Sequence, residues 1–204
     1  MIKVLAEQAF FVFAMATILA GCISMEEKPD FEDLATFSKD PIMNAVIEIP
    51  AGASDKFEYD PITQEFPVSQ RNGVPRRIKF LPYPANYGFI PSTKMNKDEG
   101  GDGDAVDVFV LCGALPTGTV IEVEAIGIIE LLDAGERDDK LVAIPIDPEL
   151  RTVDATDITE LPQAAREILV TWLLNYDPED GAELVSVKGR NEAIETVKRW
   201  QLDR

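Results

Sequence analysis

Hydrophobic and polar residues alternate with a period of two through much of the middle of the chain, a pattern that predicts strands. Residues 45–49 alternate into Pro50, residues 56–59 form a short second run, and residues 77–80 a third. Residues 106–112 are apolar and β-branched. Residues 119–132 give a long strand that Gly127 bends or bulges. Residues 140–146 are nearly all apolar, as in a strand covered on both faces. The period then changes. Across residues 162–176, Ala165, Ile168, Leu169, Trp172, Leu173 and Tyr176 recur at spacings of three and four, which predicts one apolar helix face, with Pro162 suited to the first turn. Residues 192–201 repeat this with Ala193, Ile194, Val197 and Trp200. Strands first and helices last predict a mainly β protein with α (α+β): a small barrel with two C-terminal helices packed outside.

Residues 1–21 follow neither pattern. Lys3 precedes an apolar run at 9–19 that only Thr17 interrupts, too short for an ordinary spanning helix, and small residues follow, so this stretch reads as an export segment. Leu19-Ala20-Gly21-Cys22 resembles the bacterial lipoprotein cleavage box. The resemblance implies cleavage before Cys22, a lipid on its thiol, and anchoring to a membrane on the periplasmic side. A plain signal peptide, leaving a soluble periplasmic protein, is the alternative. Residues 22–43 then form the lipidated cysteine and an acidic tether, and residues 44–204 the folded domain. With one thiol left, no internal disulfide can form, and Cys112 in its apolar run reads as a small buried residue.

The formal net charge is −18, which opposes nucleic-acid binding. An anionic substrate would need bound cations to reverse the local field. There is no histidine, which excludes Ser-His-Asp and Cys-His catalysis and the usual His-rich zinc sites. Acid–base work must fall to Asp, Glu, Lys, Tyr or metal-activated water.

Two acidic stretches change the picture. Asp102-Gly103-Asp104-Ala105-Val106-Asp107 sets three carboxylates in one short segment, and Gly100, Gly101 and Gly103 let it bend so that they converge. Carboxylates this close repel unless a cation neutralises them, and hard ions such as Mg²⁺, or Mn²⁺, suit an all-oxygen shell. A calcium loop of EF-hand type fails, because counting from Asp98 puts Phe109 where a bidentate Glu is required. The bland alternative is a solvated acidic turn. The second stretch carries Asp133, Asp138 and Lys140, and a lysine beside metal-binding carboxylates can hold a phosphate oxygen. Glu48, Lys56, Glu58, Arg76, Arg77, Tyr83 and Tyr87 supply further donors, each on its own more readily structural than functional.

Taken in order, Val46-Ile47-Glu48-Ile49-Pro50, Lys56-Phe57-Glu58, Tyr83-Pro84-Ala85-Asn86-Tyr87-Gly88, the first acidic stretch and the second resemble the soluble family I inorganic pyrophosphatases. That resemblance implies a five-stranded closed barrel of OB type and the hydrolysis of pyrophosphate to two phosphates by water activated between divalent cations, usually Mg²⁺. It implies Asp102, Asp107, Asp133, Asp138 and Glu48 as metal ligands and Asp104 as the base. Lys56, Arg76 or Arg77, Tyr87, Lys140 and Tyr176 fall at phosphate-binding positions, with Glu58 and Tyr83 supporting. It also implies a homo-oligomer. The chain departs from the family pattern at Ala105, Ala134 and Asp177, where Pro, Glu and a phosphate-binding Lys are usual; Lys188 or Arg190 is expected to replace the last. An altered member acting on other phosphoanhydrides, a weakened phosphate- or metal-binding relative, and a non-catalytic acidic cation binder are the competing readings.

Overall fold

The computed structural model describes residues 30–179 and 181–203; the export segment, Cys22 and the start of the expected tether lie outside them. The strands are β1 (Phe37–Lys39), β2 (Ile42–Ile49), β3 (Gln70–Arg71), β4 (Val74–Pro75), β5 (Asn86–Phe89), β6 (Asp107–Val110), β7 (Val120–Asp133), β8 (Glu136–Arg137), β9 (Lys140–Pro145) and β10 (Glu183–Gly189). Helices α1 (Gln163–Leu173) and α2 (Arg190–Trp200) flank β10 in sequence. Five strands close a ring in the order β2, β5, β6, β9, β7, with β7 pairing back onto β2. Every step is antiparallel except β6 on β9, which is parallel.

The apolar runs explain the ring. All of β9 is buried, with Leu141 and Ala143 entering the cluster that packs α2 through Ala193, Val197 and Trp200. Val142 and Ile144 enter the cluster that packs α1 through Leu169, Trp172 and Leu173. Burying a side chain of this size contributes about 1.5–3 kcal/mol. In the ladder with β9, β7 carries an extra residue between Ala125 and Gly127, the expected bulge. At Gly127 a Cβ would stand 2.6 Å from the Ile158 side chain and 2.7 Å from the Lys188 carbonyl oxygen, so the close approach of β10 needs glycine.

The sequence pattern misleads in four places. The runs at 56–59 and 77–80 are not regular strands: this region carries isolated bridges at Asp55–Arg77, Phe57–Val68 and Asp60–Glu65. Pro61, Pro67 and Pro75 remove ladder donors from the excursion. Ile168 is 58% exposed, so the buried face of α1 is narrower than its periodicity suggests. β10 was not expected, because Leu184, Val185 and Val187 stay 38–57% exposed at a sheet edge and no apolar run marks it. Residues 30–43, read as part of the tether, belong to the fold. From Asp30 the chain is fastened down, with a 3₁₀ turn at Phe31–Asp33 and β1 paired to β2, because Phe31 and Thr36 find partners on the barrel.

Candidate active site

Two backbone features bring the acidic stretches together. Gly101 bridges Arg137 in parallel, and the Arg137 N–H donates to the Gly100 carbonyl at 2.8 Å. A Cβ on Gly101 would lie 2.5 Å from the Met95 backbone, so glycine is required where this loop folds back on Met95. In the parallel β6–β9 pair, Asp107 is in register with Lys140, which puts both side chains on one face. Lys140 Nζ donates to Asp107 Oδ2 at 2.5 Å and to Asp138 Oδ1. The Tyr87 hydroxyl donates to the same Asp107 oxygen at 2.6 Å. Asp102 hydrogen-bonds Asp138, and its Oδ1 also accepts the Asp104 N–H at 3.0 Å.

The electrostatics follow from burial and crowding. Burial, with the Asp138 and Asp107 charges, pushes Asp102 up to about 7 against the pull of the Asp104 N–H. Burial also raises Asp107, partly offset by the Lys140 ammonium. Burial would raise Asp138 as well, but there Lys140 prevails and its pKa is lowered. For Lys140, burial favours the neutral amine, yet Asp107 and Asp138 override it and hold the ammonium. Burial keeps Tyr83 and Tyr87 well above 10, so both remain phenols.

One cleft is lined by Glu48, Lys56, Glu58, Tyr87, Asp104 and Asp107, together with Glu32 and Tyr59. Glu48 owes its place to a bulge. In the β2–β5 ladder Ile47 faces Gly88 and Ile49 faces Tyr87, so Glu48 is the extra residue, re-aimed toward the cleft. A Cβ on Gly88 would stand 1.8 Å from the Val46 carbonyl oxygen; no side chain fits there. Burial raises Glu48 to about 8, opposed by the Tyr59 N–H it accepts at 2.7 Å. Lys56 pairs with Glu58 at 2.8 Å and overcomes its burial, lowering the Glu58 pKa. Tyr83 packs between Tyr87 and Trp172, and Tyr176 stacks on Trp172 with centroids 4.5 Å apart.

Of the two candidate arginines, Arg76 faces this region, 3.8 Å from Glu58 and 3.1 Å from Asp177. Arg77 turns outward to Asp55 and its side chain is 68% exposed, because adjacent residues in an extended chain point opposite ways. Asp133 ends β7 opposite Glu136, across a turn in which Ala134 and Gly135 both take positive φ. Lys188 and Arg190 do not fill the Asp177 position: Lys188 lies along the groove between β10 and α1, and Arg190 pairs with Glu124. Asp177 instead binds Arg71 at 3.1 Å, beside Arg76. Arg71 escaped the sequence reading, since nothing local links the β3–β4 hairpin to the end of α1. Asn86 was also missed as an organiser: its buried amide accepts the Ala51 and Leu115 N–H groups and donates to the Val110 and Gly113 carbonyls. Cys112 is half-buried against the core.

Among the described residues no three acidic, cysteine or histidine side chains stand in ready-made ligand geometry. The fit to a dication lies in donor chemistry: Asp102 and Asp107 are driven toward protonation by burial and neighbouring charge, which oxygen-bound hard cations relieve.

A closed barrel whose cleft opposes carboxylates with lysine, arginine and phenol groups belongs to the class of enzymes that handle metal-bound polyanions. The sequence profile of the inorganic pyrophosphatase family matches residues 45–203. An inorganic pyrophosphatase of Sulfolobus acidocaldarius is 35% identical over 169 residues, 79% of this chain and 88% of that protein. That of Halalkalibacterium halodurans is 33% identical, covering 69% and 80%. The crystal structure of an inorganic pyrophosphatase from Neisseria gonorrhoeae superposes with a TM-score of 0.73 at 30% identity, over 84% of this chain and 96% of that one. The chain belongs to the inorganic pyrophosphatase family.

Proposed function

We propose that the protein hydrolyses inorganic pyrophosphate to two phosphates with divalent cations, Mg²⁺ foremost, in the cleft between the two acidic stretches. The observation that carries this reading is the meeting of Asp102, Asp107 and Asp138 beside Lys140 and Tyr87 in a chain of this family. Asp102, Asp107 and Asp138 would hold the cations, with Glu48 and Asp133 at outer positions. When bound, such ions lower the pKa of water and neutralise the substrate. Asp104, exposed at the cleft, accepts a proton from the water that attacks one phosphorus. The bond from that phosphorus to the bridging oxygen breaks, and the second phosphate leaves with its electrons. Lys56, Arg76, Lys140 and Tyr176 face the charge that gathers on the departing group, and Tyr87 stays protonated to donate.

Phosphate release from pyrophosphate with Mg²⁺ is expected for the wild type and lost on chelation. Asp104→Asn should cut it by on the order of 10²-fold or more. Equal rates in the variant would remove Asp104 from the mechanism. The clamp of Asp177 on Arg71 and Arg76 motivates a second reading, hydrolysis of other phosphoanhydrides. The same assay with nucleotides and polyphosphate decides it, preference for either replacing the first reading.

The leading segment supports export and lipid attachment at Cys22. Radiolabelled fatty acid should enter the wild type and not Cys22→Ala, which should also leave the membrane fraction. Equal labelling of the two would rule out the anchor.

A further inference from the structure

We propose that the strap formed by residues 30–36 is a positioning element of the active site, acting on Glu48 through Tyr59. The inference rests on the proposed role of Glu48 as a cleft carboxylate and goes beyond it. Residues 30–36 precede the family-matched segment, which begins at residue 45.

Glu48 is the bulge residue of β2, so ladder pairing does not fix its side chain. Its Oε1 accepts the Tyr59 N–H at 2.7 Å. That amide lies in the excursion between β2 and β5, where isolated bridges replace regular pairing, and it needs support from elsewhere. The Tyr59 ring provides it, lying 5.1 Å from Phe66, 6.2 Å from Phe89 and edge-on to Phe31 at 5.3 Å. Its hydroxyl accepts the Phe31 N–H and donates to Asp30, each at 3.3 Å.

The strap is itself anchored. Ser92 donates its N–H to the Glu32 carbonyl at 3.0 Å and its hydroxyl to the Leu34 carbonyl at 2.7 Å. Ser92 holds a φ of 51°, a conformation strained for a non-glycine residue that persists because its surroundings fix it. Buried Thr36 donates to the Pro91 carbonyl at 3.0 Å, and Asn44 donates to the Ala35 carbonyl at 2.8 Å. Residues 91–92 thus hold the strap, the strap holds Tyr59, and Tyr59 aims its N–H at Glu48. Glu32 itself lines the cleft beside Asp104.

The test compares the full chain with Phe31→Ala, which removes the edge contact, and with Tyr59→Phe, which keeps the ring and removes both hydroxyl bonds. Hydrogen exchange reads the Tyr59 amide, calorimetry reads Mg²⁺ binding without substrate, and kinetics give kcat and KM separately. Phe31→Ala should strip protection from the Tyr59 amide while Val108 in β6 keeps its own. It should weaken Mg²⁺ binding roughly 10-fold or more and lower kcat, as loss of a group that orients a ligand does. Tyr59→Phe should move the same readouts in the same direction by less; it also serves where Phe31→Ala fails to fold. Unchanged Tyr59 protection and Mg²⁺ affinity, with a lowered melting temperature alone, would overturn the proposal. If Glu48→Gln impairs hydrolysis while the strap variants change neither Tyr59 protection nor kcat, the strap proposal fails alone; if Glu48→Gln leaves hydrolysis intact, the role of Glu48 fails and the strap's part in the site fails with it.

Discussion

Asp107→Asn is expected to lower kcat/KM for pyrophosphate with Mg²⁺ by on the order of 10³-fold. Four neighbours converge on this carboxylate: it accepts Tyr87 and Lys140 on one oxygen, and its charge bears on Asp102 and Asp138. Asparagine keeps the shape and can still accept a bond from Tyr87. It removes the charge that a cation or the Lys140 ammonium answers. Lys140 keeps Asp138 as a partner, so the barrel should remain folded. Steady-state phosphate release, with circular dichroism to check the fold, gives the answer. A loss below tenfold would mean that Asp107 is not part of the reacting centre.

Glu48→Gln should raise stability. Burial raises Glu48 from 4.5 to about 8, so the native state keeps a proton that the unfolded chain releases. Stability therefore falls as pH rises from the unfolded value toward the folded one, since the native state binds more protons across that window. Glutamine carries no such penalty and its carbonyl can still accept the Tyr59 N–H. With a chelator present at pH 7, the variant should be more stable by about 3 kcal/mol, a melting shift of about 6–12 °C. The two melting curves should converge at or below pH 4.5. A constant gap across pH would show that the effect is packing and not ionisation. The same change should impair hydrolysis, because a carboxylate kept in a dry bulge at a cost to folding belongs to the site's chemistry.

Four of the ring strands, β2, β6, β7 and β9, were legible because their apolar runs must be covered; β5 was not, because Asn86–Phe89 continues a Pro- and Tyr-rich stretch with no apolar run to mark it. Residues 106–112, 119–132 and 140–146 mark β6, β7 and β9 to within a few residues. The acidic stretches were legible as chemistry for a related reason: like charges this dense are unstable without a partner. What stayed hidden depends on distance along the chain. Asp177 meets Arg71 over more than a hundred positions, and only the folded hairpin brings them together. Arg76 and Arg77 are equivalent in composition and separated only by the direction each faces. The strap read as a solvated tether because its anchors, Tyr59, Pro91 and Ser92, belong to distant segments. β10 stayed hidden because it is an edge strand whose apolar side chains remain half in water.

The parallel seam between β6 and β9 sets when this enzyme can begin to work. Asp107 and Lys140 become neighbours only once that seam closes, and two antiparallel partners of β7 must already be placed for the ring to complete. Ring closure also needs β2 on β7, where Met43 and Val123 pair from 80 positions apart against 33 for Asp107 and Lys140, and non-local pairing of this kind is slow to form. Turnover therefore reports on ring closure itself: a nascent or partly opened chain could retain much of its secondary structure and still be silent.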